Sequence, residues 1–257
     1  MPEKHSYENG VPCWVDVTST DIAATKAFYE GLFGWELDDL GPEAGGYVMC
    51  RQEGARVAAL SPRMEGDPSP PHWNVYLAAD DVDAATQQVR GAGGMVALEP
   101  MDVFDAGRMA FTADPTGALF GLWQGREHPG CERVNEPGAF TWAELRTRDI
   151  DVALVFYTAV FGYTTRSSEL GHITYHELLR GENSIAGAFA MPDGMFPAEV
   201  PAHWGIAFGI DDLDRGAGRV RELGGQQLME PVSISFGRFA SFTDPVGAAF
   251  TLFEAAG

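Results

Sequence analysis

The stretch WVDVTSTDIAATKAFYEGLFGW at residues 14–35 returns as WAELRTRDIDVALVFYTAVFGY at residues 142–163. Trp14, Asp21-Ile22, Phe28-Tyr29 and Phe33-Gly34 meet Trp142, Asp149-Ile150, Phe156-Tyr157 and Phe161-Gly162 at one constant offset. Each copy reads as a short strand, an aspartate and an amphipathic helix. Asp21 and Asp149 stand where a side-chain oxygen accepts the free amide protons of a first helical turn. Phe28, Tyr29 and Leu32 then share one helical face.

Outward from this block the repetition continues. His72-Trp73 and Asp80-Asp81-Val82-Asp83 return as His203-Trp204 and Asp211-Asp212-Leu213-Asp214, each followed by a helical stretch closing in Gly-Gly at 93–94 and 224–225. Asp81 and Asp212 take the capping role, and Gly94 and Gly225 suit a left-handed stop. Asp114-Pro115-Thr116-Gly117 and Asp244-Pro245-Val246-Gly247 are turn sequences joining strands into hairpins. The chain therefore reads as an α+β protein of four β-α-β-β-β modules, two to each tandem domain. The expected boundaries are 1–126 and 138–257, with a polar linker over 127–137. Two arrangements fit: modules paired within each half, or exchanged between halves.

Seventeen basic against 37 acidic residues give a formal charge of -20, which repels phosphate backbones and anionic membranes. Neither nucleic acid nor membrane is an expected partner. Cys13, Cys50 and Cys131 form no C-x-x-C pair, and no apolar leader or spanning run is visible. A cytoplasmic location is expected.

The motifs from Asp21-Ile22 to Trp35, from Asp80 to Gly94 and at Asp114 to Gly117, with their second-half counterparts, resemble the vicinal oxygen chelate superfamily. That superfamily includes glyoxalase I, bleomycin-resistance proteins and extradiol dioxygenases. The chain is similar in particular to a two-domain branch often labelled hydroxylase, some members of which accompany aromatic polyketide pathways. The resemblance implies tandem glyoxalase-like domains forming two cupped sheets. It does not fix the chemistry, since this fold hosts unrelated reactions. Metal-dependent members place a histidine on the first strand of each module and a glutamate on the last, leaving coordination positions open for substrate. Aligning the motifs puts Trp14, Asn74 and Gly121 at those points in the first domain, and Trp142, Gly205 and Thr251 in the second. No cofactor is expected on that basis. A divalent metal held by displaced ligands, such as Glu144 and His203 with Glu230, is the alternative.

Strand alternation identifies the cup-facing residues. They are Trp14, Asp16 and Thr18; His72, Asn74 and Tyr76; and Leu119, Gly121 and Trp123. The second domain offers Trp142, Glu144 and Arg146; His203, Gly205 and Ala207; and Ala249, Thr251 and Phe253, with small residues that leave more room. Trp14, Asn74, Tyr76, Trp123, Trp142, Arg146, Gly205, Thr251 and Phe253 are the candidate ligand contacts. Asp16, Glu144, His72 and His203 are the candidate catalytic groups.

Each candidate also has a structural reading. A histidine at a strand entrance can serve an edge or turn hydrogen bond. A carboxylate on a cup face needs a partner or a raised pKa, and Arg108 and Arg238 are either those partners or turn residues. His172 and His176 read as strand residues too far apart to chelate one ion, while His5 and His128 receive no role.

Three functions fit. One is a binding protein for an aromatic or polycyclic metabolite, serving resistance, delivery or an accessory step. Another is a metal-independent tailoring enzyme, an isomerase, cyclase or hydroxylase-like protein, using a carboxylate and histidine pair. The last is a divalent-metal lyase or oxygenase. A homodimer or a pathway enzyme completes the expected partners.

Overall fold

Aspartate caps set the helices as the sequence requires. Asp21 Oδ1 accepts from the Ala23 and Ala24 amides, both at 3.1 Å, and Asp81, Asp149 and Asp212 each accept from the residue three positions on. The computed structural model describes residues 4–192 and 194–256. Its first module is β1 (Pro12–Ser19), α1 (Ile22–Phe33), β2 (Glu36–Asp39), β3 (Val48–Gln52) and β4 (Ala55–Pro62). The second is β5 (His72–Ala78), α2 (Val82–Gly91), β6 (Met95–Val103), β7 (Gly107–Ala113) and β8 (Leu119–Gly125).

The second half repeats this order. Its first module is β9 (Phe140–Thr147), α3 (Ile150–Phe161), β10 (Thr164–Leu170), β11 (Ile173–Arg180) and β12 (Asn183–Ala190). The last module is β13 (His203–Gly209), α4 (Leu213–Glu222), β14 (Gln226–Gln227), β15 (Val232–Ile234), β16 (Gly237–Thr243) and β17 (Ala249–Ala255). There the strand after the helix is split into β14 and β15, whereas β6 runs unbroken through the equivalent Glu99-Pro100.

Modules pair within each half, which settles one of the two arrangements. The first sheet runs β2-β3-β4-β1-β5-β8-β7-β6 and the second β10-β11-β12-β9-β13-β17-β16-β14, with β15 beside β16. The modules meet at the antiparallel seams β1·β5 and β9·β13.

The helix sides of both sheets share one core. Phe28 and Tyr29 of α1 pack edge-on to Phe250, and Trp73 packs against Phe208; Phe120 meets Phe156 and Tyr157 of α3 in the reciprocal arrangement. Buried in this core, Trp73 Nε1 donates to the Tyr29 hydroxyl and Trp204 Nε1 to the Tyr157 hydroxyl, both at 2.9 Å. The charges of Asp244 and Asp114, from the opposite half's turn in each case, lie beside those hydroxyls.

The sequence misplaces one detail of the helix ends. The left-handed residues are Gly93 and Gly224, both at φ 87°, one position before those expected. Gly94 and Gly225 serve packing instead. A Cβ there would lie 2.7 Å from the Ala113 carbonyl oxygen or 2.6 Å from that of Thr243, closer than any side-chain carbon tolerates.

Candidate functional site: two unequal cups

Alternation splits each seam as the sequence implies. Val15, Val17, Ala143 and Leu145 are fully buried on the helix side, while Trp14, Asp16, Trp142 and Glu144 occupy the concave side. The two concave sides then diverge.

In the first cup Asp16, only 3% exposed, is held by three donors. The Tyr76 hydroxyl donates to Oδ2 at 2.8 Å, the Tyr47 hydroxyl to Oδ2 at 3.0 Å, and Asn74 Nδ2 to Oδ1 at 2.8 Å. Burial raises the Asp16 pKa, and these three bonds together with nearby His72 oppose that rise. Trp14 Nε1 donates to the Tyr47 hydroxyl at 2.9 Å, extending the network. His72 has carbonyl oxygens at both ring nitrogens: Pro70 O at 2.8 Å from Nδ1 and Asn74 Oδ1 at 3.1 Å from Nε2.

A ring from outside the sheet closes this cup. His128, 6% exposed, stands edge-on to Trp14 with centroids 4.3 Å apart and lies 5.5 Å from Trp123, whose Nε1 donates to the His128 carbonyl at 2.8 Å. Neither ring nitrogen of His128 has a hydrogen-bond partner, and burial lowers its pKa to about 3. The imidazole is therefore neutral and functions as a plug. Cys131 anchors the segment: its amide donates to Cys13 O at 2.7 Å and its thiol to Val57 O at 3.1 Å.

The second cup has the same frame and a different filling. Trp142 Nε1 donates to the Tyr175 hydroxyl at 2.8 Å, as Trp14 does to Tyr47. Glu144 replaces Asp16, and Arg146 Nε donates to Glu144 Oε1 at 3.1 Å. Gly205 faces Glu144 across the seam where Asn74 faces Asp16, and the Arg146 guanidinium lies over it. His203 Nδ1 donates to Pro201 O at 2.8 Å, and burial lowers its pKa, with the Arg146 charge adding to the effect. Trp142, Glu144, Arg146, Tyr175, His203 and Phe253 are only half-buried. Thr251 is buried and shares a hydroxyl hydrogen bond with Ser241 at 3.0 Å.

Several expectations need correction. Arg108 bonds Asp83 in a bidentate pair and also contacts Asp102, and Arg238 bonds Asp214 and contacts Glu254, so neither arginine partners Asp16 or Glu144. The aligned chelate points do not share one row: Trp14 opposes Tyr76, which opposes Gly121, while Asn74 lies one row over beside Asp16. Trp142, Ala207 and Thr251 form the matching row of the second cup. His176 lies in β11 and bonds Ser167 at 2.9 Å; His172 is in the preceding turn. His128, assigned no role from the sequence, is the ring that fills the first cup. Tyr47 and Tyr175 were also missed, although they obey the same constant offset as Trp14 and Trp142 and could have been found by it.

The donor set does not fit a chelate of the usual kind. Trp and Gly supply no side-chain ligand, Asp16 is fully engaged by neutral donors, and no group of three His, Cys, Asp or Glu side chains able to hold a metal occurs among the described residues.

The profile of the Glyoxalase/Bleomycin resistance protein/Dioxygenase superfamily matches residues 13–122 and again 139–252. The chain belongs to this superfamily. "Putative glyoxylase CFP32" of Mycobacterium tuberculosis (strain CDC 1551 / Oshkosh) is 44% identical across 100% of this chain and 99% of its own length. "Anthracycline biosynthesis protein DnrV" of Streptomyces peucetius is 38% identical across 96% of this chain and 94% of its own. Among solved superfamily structures, the Mn(II)-bound glyoxalase from Novosphingobium aromaticivorans superposes with a TM-score of 0.67 at 23% identity, covering 96% of this chain and 83% of that one. The 2,3-dioxygenase LapB from Pseudomonas sp. KL28 gives 0.68 at 14% identity, covering 98% and 94%. At such identities the superfamily structures establish the fold alone.

Proposed function

We propose that this chain is a binding protein of the superfamily that captures one flat aromatic or polycyclic metabolite in its second cup, without a metal, as an accessory of a biosynthetic or resistance pathway. The asymmetry of the duplicated cups carries this reading. His128 occupies the ring position of the first cup, and among the described residues no aromatic ring packs against Trp142 in the equivalent place. Such a place suits a planar ligand, because indole and phenyl faces stack on it while a few polar groups fix its orientation. The anthracycline biosynthesis relatives give the reading a chemical context, since anthracyclines are polycyclic aromatics. Small-molecule binding is general in the superfamily. No helix of the described residues is long and apolar enough to cross a membrane.

Intrinsic tryptophan fluorescence tests the proposal. Naphthalene- to anthraquinone-sized aromatics should quench the wild-type protein with saturable, micromolar binding, and Trp142→Phe should lose most of that quenching. A flat response across the panel would reject the reading.

A further inference from the structure

The two strand-entrance histidines are equivalent in sequence and unequal in bonding. His72 and His203 both spend Nδ1 on the carbonyl two residues earlier, Pro70 or Pro201, at 2.8 Å. For His203 this places the Nδ1 proton on that bond and leaves Nε2 as the accepting edge of the ring. In the first cup the Asn74 carboxamide fills the space at the corresponding edge of His72, its Oδ1 3.1 Å from Nε2. In the second cup the residue at the place of Asn74 is Gly205, which has no side chain to offer, and His203 Nε2 has no hydrogen bond among the described residues.

Next to it lies a second open valence. Arg146 is the direct cross-strand partner of His203, and only its Nε is committed, to Glu144 Oε1. The terminal guanidinium nitrogens sit over Gly205 with no acceptor among the described residues. Glu144 and Arg146 have side chains 22% and 18% exposed, so solvent and ligand reach this floor while the pair stays in place. The floor thus presents one acceptor and a fork of donors side by side. Tyr175 does not compete for either: its hydroxyl accepts from Trp142 and lies beside Glu144.

We infer, building on the binding reading above, that the second cup selects a hydroxyl-bearing planar aromatic, with the ligand hydroxyl donating to His203 Nε2 and a ligand oxygen accepting from the Arg146 guanidinium. A neutral imidazole is required for this, and desolvation, aided by the Arg146 charge and opposed by the Pro201 bond and the Glu144 charge, lowers the His203 pKa and so favours that form. His203 acts here as a positioning residue. Its hydrogen bond is made in a partly dry cup, where an unsatisfied acceptor facing an apolar ligand is costly, so selection against ligands without the hydroxyl follows.

The experiment compares 2-hydroxyanthraquinone with 2-methoxyanthraquinone by calorimetric titration of the full chain. The two differ by one methyl group that removes the donor. Wild-type protein should bind the hydroxy compound about tenfold more tightly. His203→Ala should erase that preference while leaving the methyl ether's affinity within about twofold, and His203→Gln, which restores an acceptor, should recover part of it. Equal affinities of wild type for the two compounds, or a preference unchanged in His203→Ala, would overturn the inference and leave the aromatic-binding reading standing. Binding of neither compound would remove both. Because the wild-type comparison requires no variant, a folding defect in His203→Ala does not rescue the idea.

Discussion

His128 stands edge-on to Trp14, ring centroids 4.3 Å apart and planes at 90°, with its two nitrogens sealed from any partner. The first cup is thereby filled by the chain's own imidazole. The consequence is testable by acid. His128 is neutral when folded down to about pH 3, whereas an unfolded histidine takes up a proton near pH 6.5. Its folded pKa is depressed, so its contribution is intact above about pH 6.5 and declines as pH falls from there toward 3. The slope is about 1.4 kcal/mol per pH unit. His128→Phe keeps a ring in the slot and removes the titration. Urea unfolding should therefore show the variant equal to or more stable than wild type at pH 7.5, with its advantage growing by about 2 kcal/mol at pH 5. Parallel stability profiles for the two proteins would show that the ring is not buried neutral.

Asp16, a candidate catalytic group in the sequence, has both carboxylate oxygens hydrogen-bonded within the fold. Its carboxylate satisfies Tyr47, Tyr76 and Asn74 in a closed space. Asp16→Asn should cost about 1 to 3 kcal/mol of stability, because an amide cannot accept from all three donors. Aromatic ligand affinity should stay within about twofold. A variant of wild-type stability that no longer binds ligand would place the working site in the first cup.

The paired Trp-to-Tyr bonds allow the duplication to be checked energetically. Tyr29→Phe strands the Trp73 N–H, and Tyr157→Phe strands that of Trp204, in matching surroundings. Each should lose about 1 to 3 kcal/mol in chemical denaturation, by amounts equal to within about 1 kcal/mol. A loss from only one of the two would mean that the halves do not share the core symmetrically.

Gly187 is the tightest point of the second cup. A Cβ there would lie 1.8 Å from the Tyr175 hydroxyl and 3.1 Å from Trp142 Nε1. Gly187→Ala should therefore push Tyr175 off Trp142, shift the tryptophan emission and weaken aromatic ligand binding at least tenfold. Unaltered emission and affinity would show that the Trp142 and Tyr175 contact does not shape the cup.

The fold was legible because its signals are local and duplicated: aspartate caps, strand alternation and Asp-Pro turns each act within a few residues, and every one occurs twice. Cup-facing residues followed from alternation alone. The plug did not, because His128 is brought into the first cup by a segment that pairs with β1 and β4 side chains and carbonyls far away in sequence, an event with no periodic signature. The carboxylate partners failed for a related reason. Arginines after a glycine looked available for Asp16 and Glu144, yet the helix-start aspartates Asp83 and Asp214 lie nearer in space and take them. Tyr47, Tyr76 and Asn74 hold Asp16 instead, and Glu144 is held by Arg146 of its own strand with the Tyr175 hydroxyl beside it.

One titration addresses the unequal cups directly. Calorimetry with 2-hydroxyanthraquinone should give one site per wild-type chain, one site in Asp16→Asn, and none in Gly205→Val, whose new side chain occupies the floor of the second cup and displaces the flexible Arg146 guanidinium. Two sites in the wild type, or undiminished binding in a folded Gly205→Val protein, would contradict the assignment of the ligand to the second cup.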